Sequence, residues 1–277
     1  MTDPKVLTPE DVLSFKSVTD AQLSPDGELV AFVVGDSSVV DTKYPRSGIW
    51  VVPTGGGEPR TLTTGSRSDM MPRWSPDGQT LAFLSDREEN GVRWLYLLPR
   101  SGGEAVRLPH DDGDIPTAPG LDAIAWSPDG GRIAYLRRDA DTEEEEKRKE
   151  EKDDHIEFEK DPKYTCLHVV DVKNGEIRRV SPDGLQVWEH CWSPDGEKLA
   201  VVVSDLPYEQ AWYTCRLAAL SLDDGVARTI HSAKRQVARP VWSPDGSRFA
   251  CLRYLSDRVE LWIGNPSLRT LAPLKNI

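Results

Sequence analysis

Short apolar runs recur along the chain at nearly constant intervals, and each is entered through the same polar tetrapeptide. Ser-Pro-Asp-Gly begins at Ser24, Ser75, Ser127, Ser193 and Ser243, with spacings of 51, 52, 66 and 50 residues. Proline presets the first turn position, Asp bonds the local backbone, and Gly accepts positive φ. The tetrapeptide therefore predicts a tight hairpin between a first and a second strand. Second strands follow at Leu29–Val34, Leu81–Leu84, Ile133–Leu136, Leu199–Val203 and Phe249–Leu252. Third strands are predicted at Ile49–Val52, Trp94–Leu98, Leu167–Val170, Cys215–Leu220 and Val259–Ile263. Fourth strands start around Arg60, Arg107, Arg178, Arg228 and Arg269.

Four short antiparallel strands repeated about every 50 residues predict a β-propeller. The fold class is all-β, with five four-stranded blades at about 21–64, 70–109, 121–180, 187–231 and 237–272. A tryptophan precedes four of the five turns (Trp74, Trp126, Trp192 and Trp242), where a large apolar side chain suits a blade-to-blade contact. A sixth Ser-Pro-Asp-Gly at Ser181 is out of phase and reads as a connector turn. Residues 1–20 form an N-terminal segment with a short helix over 8–14, Thr8 being the N-cap and Pro9 the first helical residue.

The net charge of −12 is concentrated. Residues 139–161 hold 13 acids and 5 bases, which accounts for the long third repeat and predicts a solvated loop or exposed helix. A basic footprint is missing, which excludes nucleic acid as a partner. No run approaches the roughly 20 apolar residues of a spanning helix. The first eight residues lack a secretory signal, so no membrane partner and a cytoplasmic location are expected. Cys166, Cys191, Cys215 and Cys251 lack C-x-x-C spacing and read as small buried hydrophobes in strands. Neither a cofactor nor a metal is expected.

Trp74–Ser85, Leu95–Leu98 and Gly102–Leu108 resemble the TolB-like propeller repeat. The opening Leu7–Leu13 and Gln22–Gly27, with Val187-Trp188-Glu189, Ser204–Glu209 and Ala211-Trp212-Tyr213, resembles the prolyl oligopeptidase family. The match is to its acylaminoacyl peptidase and dipeptidyl aminopeptidase branch. The resemblance implies a propeller of seven or eight blades followed by an α/β-hydrolase domain with a Ser-Asp-His triad. That domain is not found in this sequence. Gly35-Asp36-Ser37-Ser38-Val39 lacks the last glycine of a G-x-S-x-G elbow, and no other stretch fits. No catalytic residue is therefore assigned, and the chain reads as a truncated product or fragment.

The expected function is the non-catalytic propeller of a serine peptidase, gating access and binding a peptide or acyl-peptide substrate for the C-terminal hydrolase domain. The alternative is a stand-alone TolB-like propeller acting as a protein-interaction scaffold. Homo-oligomerisation stays open. In a propeller the fourth-to-first connectors and second-to-third loops share one face, opposite the Ser-Pro-Asp-Gly turns. The candidate substrate-binding residues there are Glu189, Glu209, Trp188, Tyr208 and Trp212. A carboxylate pair suits a peptide α-ammonium group, a role related aminopeptidases give to acidic propeller residues, and the aromatics suit an apolar wall. Asp86-Arg87 and Asp257-Arg258 read as equivalent structural loop pairs.

Overall fold

The computed structural model describes residues 7–36, 45–109, 115–116, 122–151, 162–232, 235–265 and 270–274. Helix α1 (Pro9–Leu13) comes first. Its cap is reciprocal: Thr8 Oγ1 accepts from the Asp11 N–H at 3.1 Å, and Asp11 Oδ2 accepts from the Thr8 N–H at 3.0 Å.

Twenty strands follow in five four-stranded antiparallel sheets, each a meander in chain order. Blade 1 is β1 (Lys16–Leu23), β2 (Leu29–Asp36), β3 (Ser47–Pro53) and β4 (Arg60–Thr61). Blade 2 is β5 (Asp69–Trp74), β6 (Thr80–Glu89), β7 (Val92–Pro99) and β8 (Val106–Arg107). Blade 3 is β9 (Ile124–Trp126), β10 (Arg132–Arg138), β11 (Thr165–Asp171) and β12 (Ile177–Arg179), with helix α2 (Glu143–Glu150) between β10 and β11. Blade 4 is β13 (Gln186–Trp192), β14 (Lys198–Ser204), β15 (Arg216–Ser221) and β16 (Ala227–Ser232), with helix α3 (Glu209–Trp212) between β14 and β15. Blade 5 is β17 (Val237–Trp242), β18 (Phe249–Tyr254), β19 (Val259–Asn265) and β20 (Thr270–Pro273). Residue 121, the 152–161 part of the acidic segment and Arg269 lie outside the described residues.

The five turns share one hydrogen-bond pattern. The serine hydroxyl donates to the aspartate two residues on, at 2.5–2.6 Å. It also accepts the backbone N–H five residues on, at 2.9–3.0 Å. The turn glycines sit at φ of 68° to 74°, a region open to glycine at no steric cost. Ser181 does something else: its hydroxyl accepts the Leu167 N–H at 3.0 Å, so this copy fastens the end of blade 3, between β12 and β13.

The chain divides into two units, Met1–Leu108 with blades 1 and 2, and Pro109–Ile277 with blades 3 to 5. In the first, Ala31, Val33, Ile49 and Val51 of blade 1 form a core with Leu81, Phe83, Trp94 and Tyr96 of blade 2. In the second, Val202, Leu217 and Ile230 of blade 4 pack on Val237, Phe249 and Cys251 of blade 5. Each sheet alternates its side chains between two faces, so a blade needs a neighbour to bury either one.

One open alternative closes and two sequence expectations change in detail. Part of the acidic segment is helical, because Thr142 and Glu145 form a second reciprocal cap and Lys163 pairs with Glu145. Cys215 stands one residue before β15 rather than within it, though it is buried. Asp86-Arg87 and Asp257-Arg258 are not equivalent. Asp86 is buried and accepts the Ser68 and Gly91 N–H groups, whereas the exposed Asp257 pairs only with its neighbour Arg258.

Candidate functional site

The candidate residues lie on two elements of blade 4. Trp188 and Glu189 are on β13, Glu209 and Trp212 are on α3, and Tyr208 is the residue that caps α3. A hydrogen-bond relay holds these elements together. The Trp188 indole N–H donates to Ser204 Oγ at 2.9 Å, and that hydroxyl donates to the Leu206 carbonyl at 2.7 Å. Arg216 adds an ion pair to Asp205 at 2.7 Å, and the Tyr164 hydroxyl donates to the Asp205 carbonyl at 3.2 Å.

The relay brings the aromatics together. Trp188 and Trp212 have ring centroids 6.2 Å apart, and Trp212 and Tyr213 are 5.9 Å apart. Trp188 and Trp212 also rest on the blade 4–blade 5 core, so their inner faces are packing surface. Leu206 and Tyr213 are exposed beside them, about half uncovered at 48% and 51%. The result is an apolar ledge on a fixed base.

The two carboxylates are held separately. Glu209 is exposed and accepts from the Tyr213 hydroxyl at 3.3 Å. Glu189 accepts the backbone N–H of Arg239 on β17 through Oε2. No hydrogen bond joins Glu189 to Glu209 among the described residues. Burial pushes the Glu189 carboxyl up from the usual range, the Arg239 N–H pulls it back, and Asp122 pushes it further up.

Sequence reasoning missed what Glu189 touches. Arg239 has φ of 55°, as do Asp20 (50°) and Met71 (52°) within a few degrees, and each stands four residues before its turn serine. The strand register shifts at these places, so each is a bulge in a first strand. A bulge leaves backbone groups unpaired. Glu189 satisfies one of them across the blade interface. His190 was missed as well. It is buried, its Nε2 lies 3.4 Å from the Ala123 carbonyl of blade 3, and burial lowers its pKa to about 4. The only available signal was the recurrence of position four before the turn, which carries no shared residue type.

No family model matches the chain. The sequence is 34% identical over 209 residues to the uncharacterized peptidase YuxL of Bacillus subtilis, covering 70% of this chain and 31% of that one. The chain thus spans about a third of that relative's length. Among solved structures, an acylaminoacyl peptidase from Pyrococcus horikoshii matches 91% of this chain and 38% of its own, with TM-score 0.65 and 17% identity. TolB from Agrobacterium tumefaciens matches 93% of this chain and 80% of its own, with TM-score 0.60 and 16% identity.

The class is therefore a β-propeller of four-stranded antiparallel blades, five of them in this chain. The resemblance to peptidases, read from the opening and the fourth repeat, agrees with the sequence match, and the structural match supports the propeller fold. Among the described residues no helix is long and apolar enough to cross a membrane.

Proposed function

We propose that this chain is the non-catalytic propeller of a serine peptidase, gating access to a hydrolase domain and binding the peptide substrate. The observation that carries the reading is the sequence match to a peptidase over 209 residues, since the structural matches at 16–17% identity speak to fold alone. In this reading the ledge of Trp188, Trp212 and Tyr213, with Tyr208 at the start of α3, bounds an apolar subsite. Glu189 and Glu209 offer an α-ammonium group their uncommitted oxygens, Oε1 and Oε2 respectively. An ammonium beside Glu189 would favour its ionised form, offsetting the cost of burial.

The test uses a serine-reactive fluorophosphonate on two proteins: this chain, and the product of its complete reading frame. The expected result is stoichiometric labelling of one serine, with turnover of aminoacyl or acylaminoacyl substrates, in the longer product only. Labelling and turnover by this chain alone would defeat the reading. So would their absence from the longer product.

A second reading has its own support, because TolB matches over 80% of its own length rather than over a minor part. It makes the chain a stand-alone scaffold for protein partners. A longer product without peptidase activity, together with a stable complex of this chain and a cellular protein, is the outcome it requires.

A further inference from the structure

The first unit holds a polar pocket of about 120 Å³ where Pro45 and Arg46, just before β3, meet the β4–β5 connector and the β6–β7 turn. These residues lie at the blade ends opposite the Ser-Pro-Asp-Gly turns. Arg46, Ser66, Arg67, Ser68, Asp86 and Asn90 line it.

The charge balance of this pocket differs from that of its surroundings. Arg73, Arg87, Arg100 and Arg107 of the same unit each face a carboxylate. Arg46 and Arg67 face none among the described residues. Arg67 donates to the neutral amide oxygen of Asn90, and the Arg46 side chain is exposed. The one carboxylate in the lining is already committed. Asp86 is 4% exposed and spends its two oxygens on the Ser68 N–H at 2.8 Å and the Gly91 N–H at 3.0 Å. It braces the pocket and leaves a lining of two cations and one anion, a net charge of +1.

Two cations in one concavity repel each other and concentrate a positive potential there. A guanidinium presents a planar fork of N–H donors that matches two carboxylate oxygens. Ser66 adds a hydroxyl, 3.1 Å from the Thr64 hydroxyl. In a chain of net charge −12, a concave site with two arginines against one aspartate is a local reversal of sign.

We infer that this pocket binds a peptide carboxylate, with Arg46 and Arg67 as the anion clamp and Ser66 as an added donor. That the carboxylate belongs to a peptide rests on the reading of this chain as a peptidase propeller. The affinity of the pocket for a carboxylate does not. The two are separable, because the fluorophosphonate result leaves binding to this chain untouched.

The experiment is calorimetric titration of the 277-residue protein. Three N-acetylated peptides are compared: an alanine–aspartate–alanine amide, trialanine with a free C-terminus, and trialanine amide. Inorganic phosphate is the fourth ligand. Both carboxylate-bearing peptides should bind and the neutral amide should not, and the tighter of the two identifies a side chain or a chain end as the source. Arg46→Gln and Arg67→Gln should each weaken binding by about tenfold or more. Binding to the native protein should also weaken as salt is raised. Equal binding of the neutral amide overturns the inference, as do carboxylate affinities unchanged in both variants, or phosphate binding with neither peptide bound. Should a variant fail to fold, the amide and salt comparisons on the native protein still decide.

Discussion

Three indole nitrogens in chemically similar places separate a hydrogen bond from simple packing. Trp192 Nε1 donates to the Ala125 carbonyl of the preceding blade at 3.0 Å, and Trp74 Nε1 makes the same bond to Gln22 at 3.2 Å. Trp242 Nε1 is buried without a hydrogen-bond partner among the described residues. Trp192→Phe should therefore cost about 1–3 kcal/mol more than Trp242→Phe in chemical denaturation, because it strands the Ala125 carbonyl. Equal costs would mean that ring packing alone matters. The tryptophans were legible because the residue recurs before the turn. Their acceptors were not, because they belong to the neighbouring blade. His190 gives a pH-dependent counterpart. It is buried and neutral, with its pKa lowered from 6.5 to about 4 by burial, opposed by the Ala123 carbonyl and Asp122. Between those values the unfolded chain takes up a proton that the folded chain refuses, so stability falls as pH drops from 6.5 to 4. A shift of this size corresponds to about 3 kcal/mol. Urea midpoints of His190→Gln across this range should fall less steeply than those of the wild type. Identical slopes would show that His190 is not what senses the acid.

At the scale of elements, the hairpins were the readable part. The Ser-Pro-Asp-Gly turn is local chemistry, with every partner within five residues, so its consequence is visible in one short window. Helix α3 was not readable in that way. It is four residues long and Tyr208 caps it with no side-chain hydrogen bond, so no capping signal marks its start. Its position comes from distant groups: Ser204, Trp188, Arg216 and Tyr164 all fasten the loop that carries it. Glu209 is thereby fixed on the exposed side, beside the Tyr213 hydroxyl. If the proposed amine site holds, Glu209→Gln in the active peptidase should lower kcat/KM for free-amine substrates by about 10- to 150-fold, the loss of a hydrogen bond to a charged group. Acylated substrates carry no ammonium and should be nearly unaffected. Glu189→Gln should show the same asymmetry. For the wild type, free-amine turnover should decline as pH falls through the raised Glu189 value, since protonation removes the charge the ammonium needs. Equal losses on both substrate classes would point to destabilisation and remove these two carboxylates from the site.

For the whole molecule, the informative surfaces are two sheet faces whose apolar side chains stay exposed, one on blade 5 and one on blade 1. In β14, residues on both faces are buried: Leu199, Ala200, Val201, Val202 and Val203 are fully enclosed. Blade 5 is different. Phe249 and Cys251 of β18 are buried against blade 4, while on the opposite face Tyr254 pairs across the strands with Val259, and Leu252 with Leu261. There Val259 and Leu261 are 52% and 40% exposed. Blade 1 repeats the arrangement in its own unit. Ala31 and Val33 are buried, whereas Val18 and Leu23 of β1 are largely exposed. A contiguous apolar sheet face is a site for association. The face of blade 1 keeps one ion pair, Lys16 with Asp36, beside Val18, whereas the cross-strand pairs Leu252–Leu261 and Tyr254–Val259 on blade 5 are uncharged. Purified alone, the chain should therefore self-associate, its sedimentation coefficient rising with concentration. Val259→Lys with Leu261→Lys should shift the distribution toward monomer without lowering the unfolding midpoint, because neither side chain is part of the blade 4–blade 5 core. A wild-type chain that stays monomeric at high concentration and melts in one sharp, high transition would show instead that five blades close on themselves and cover both faces.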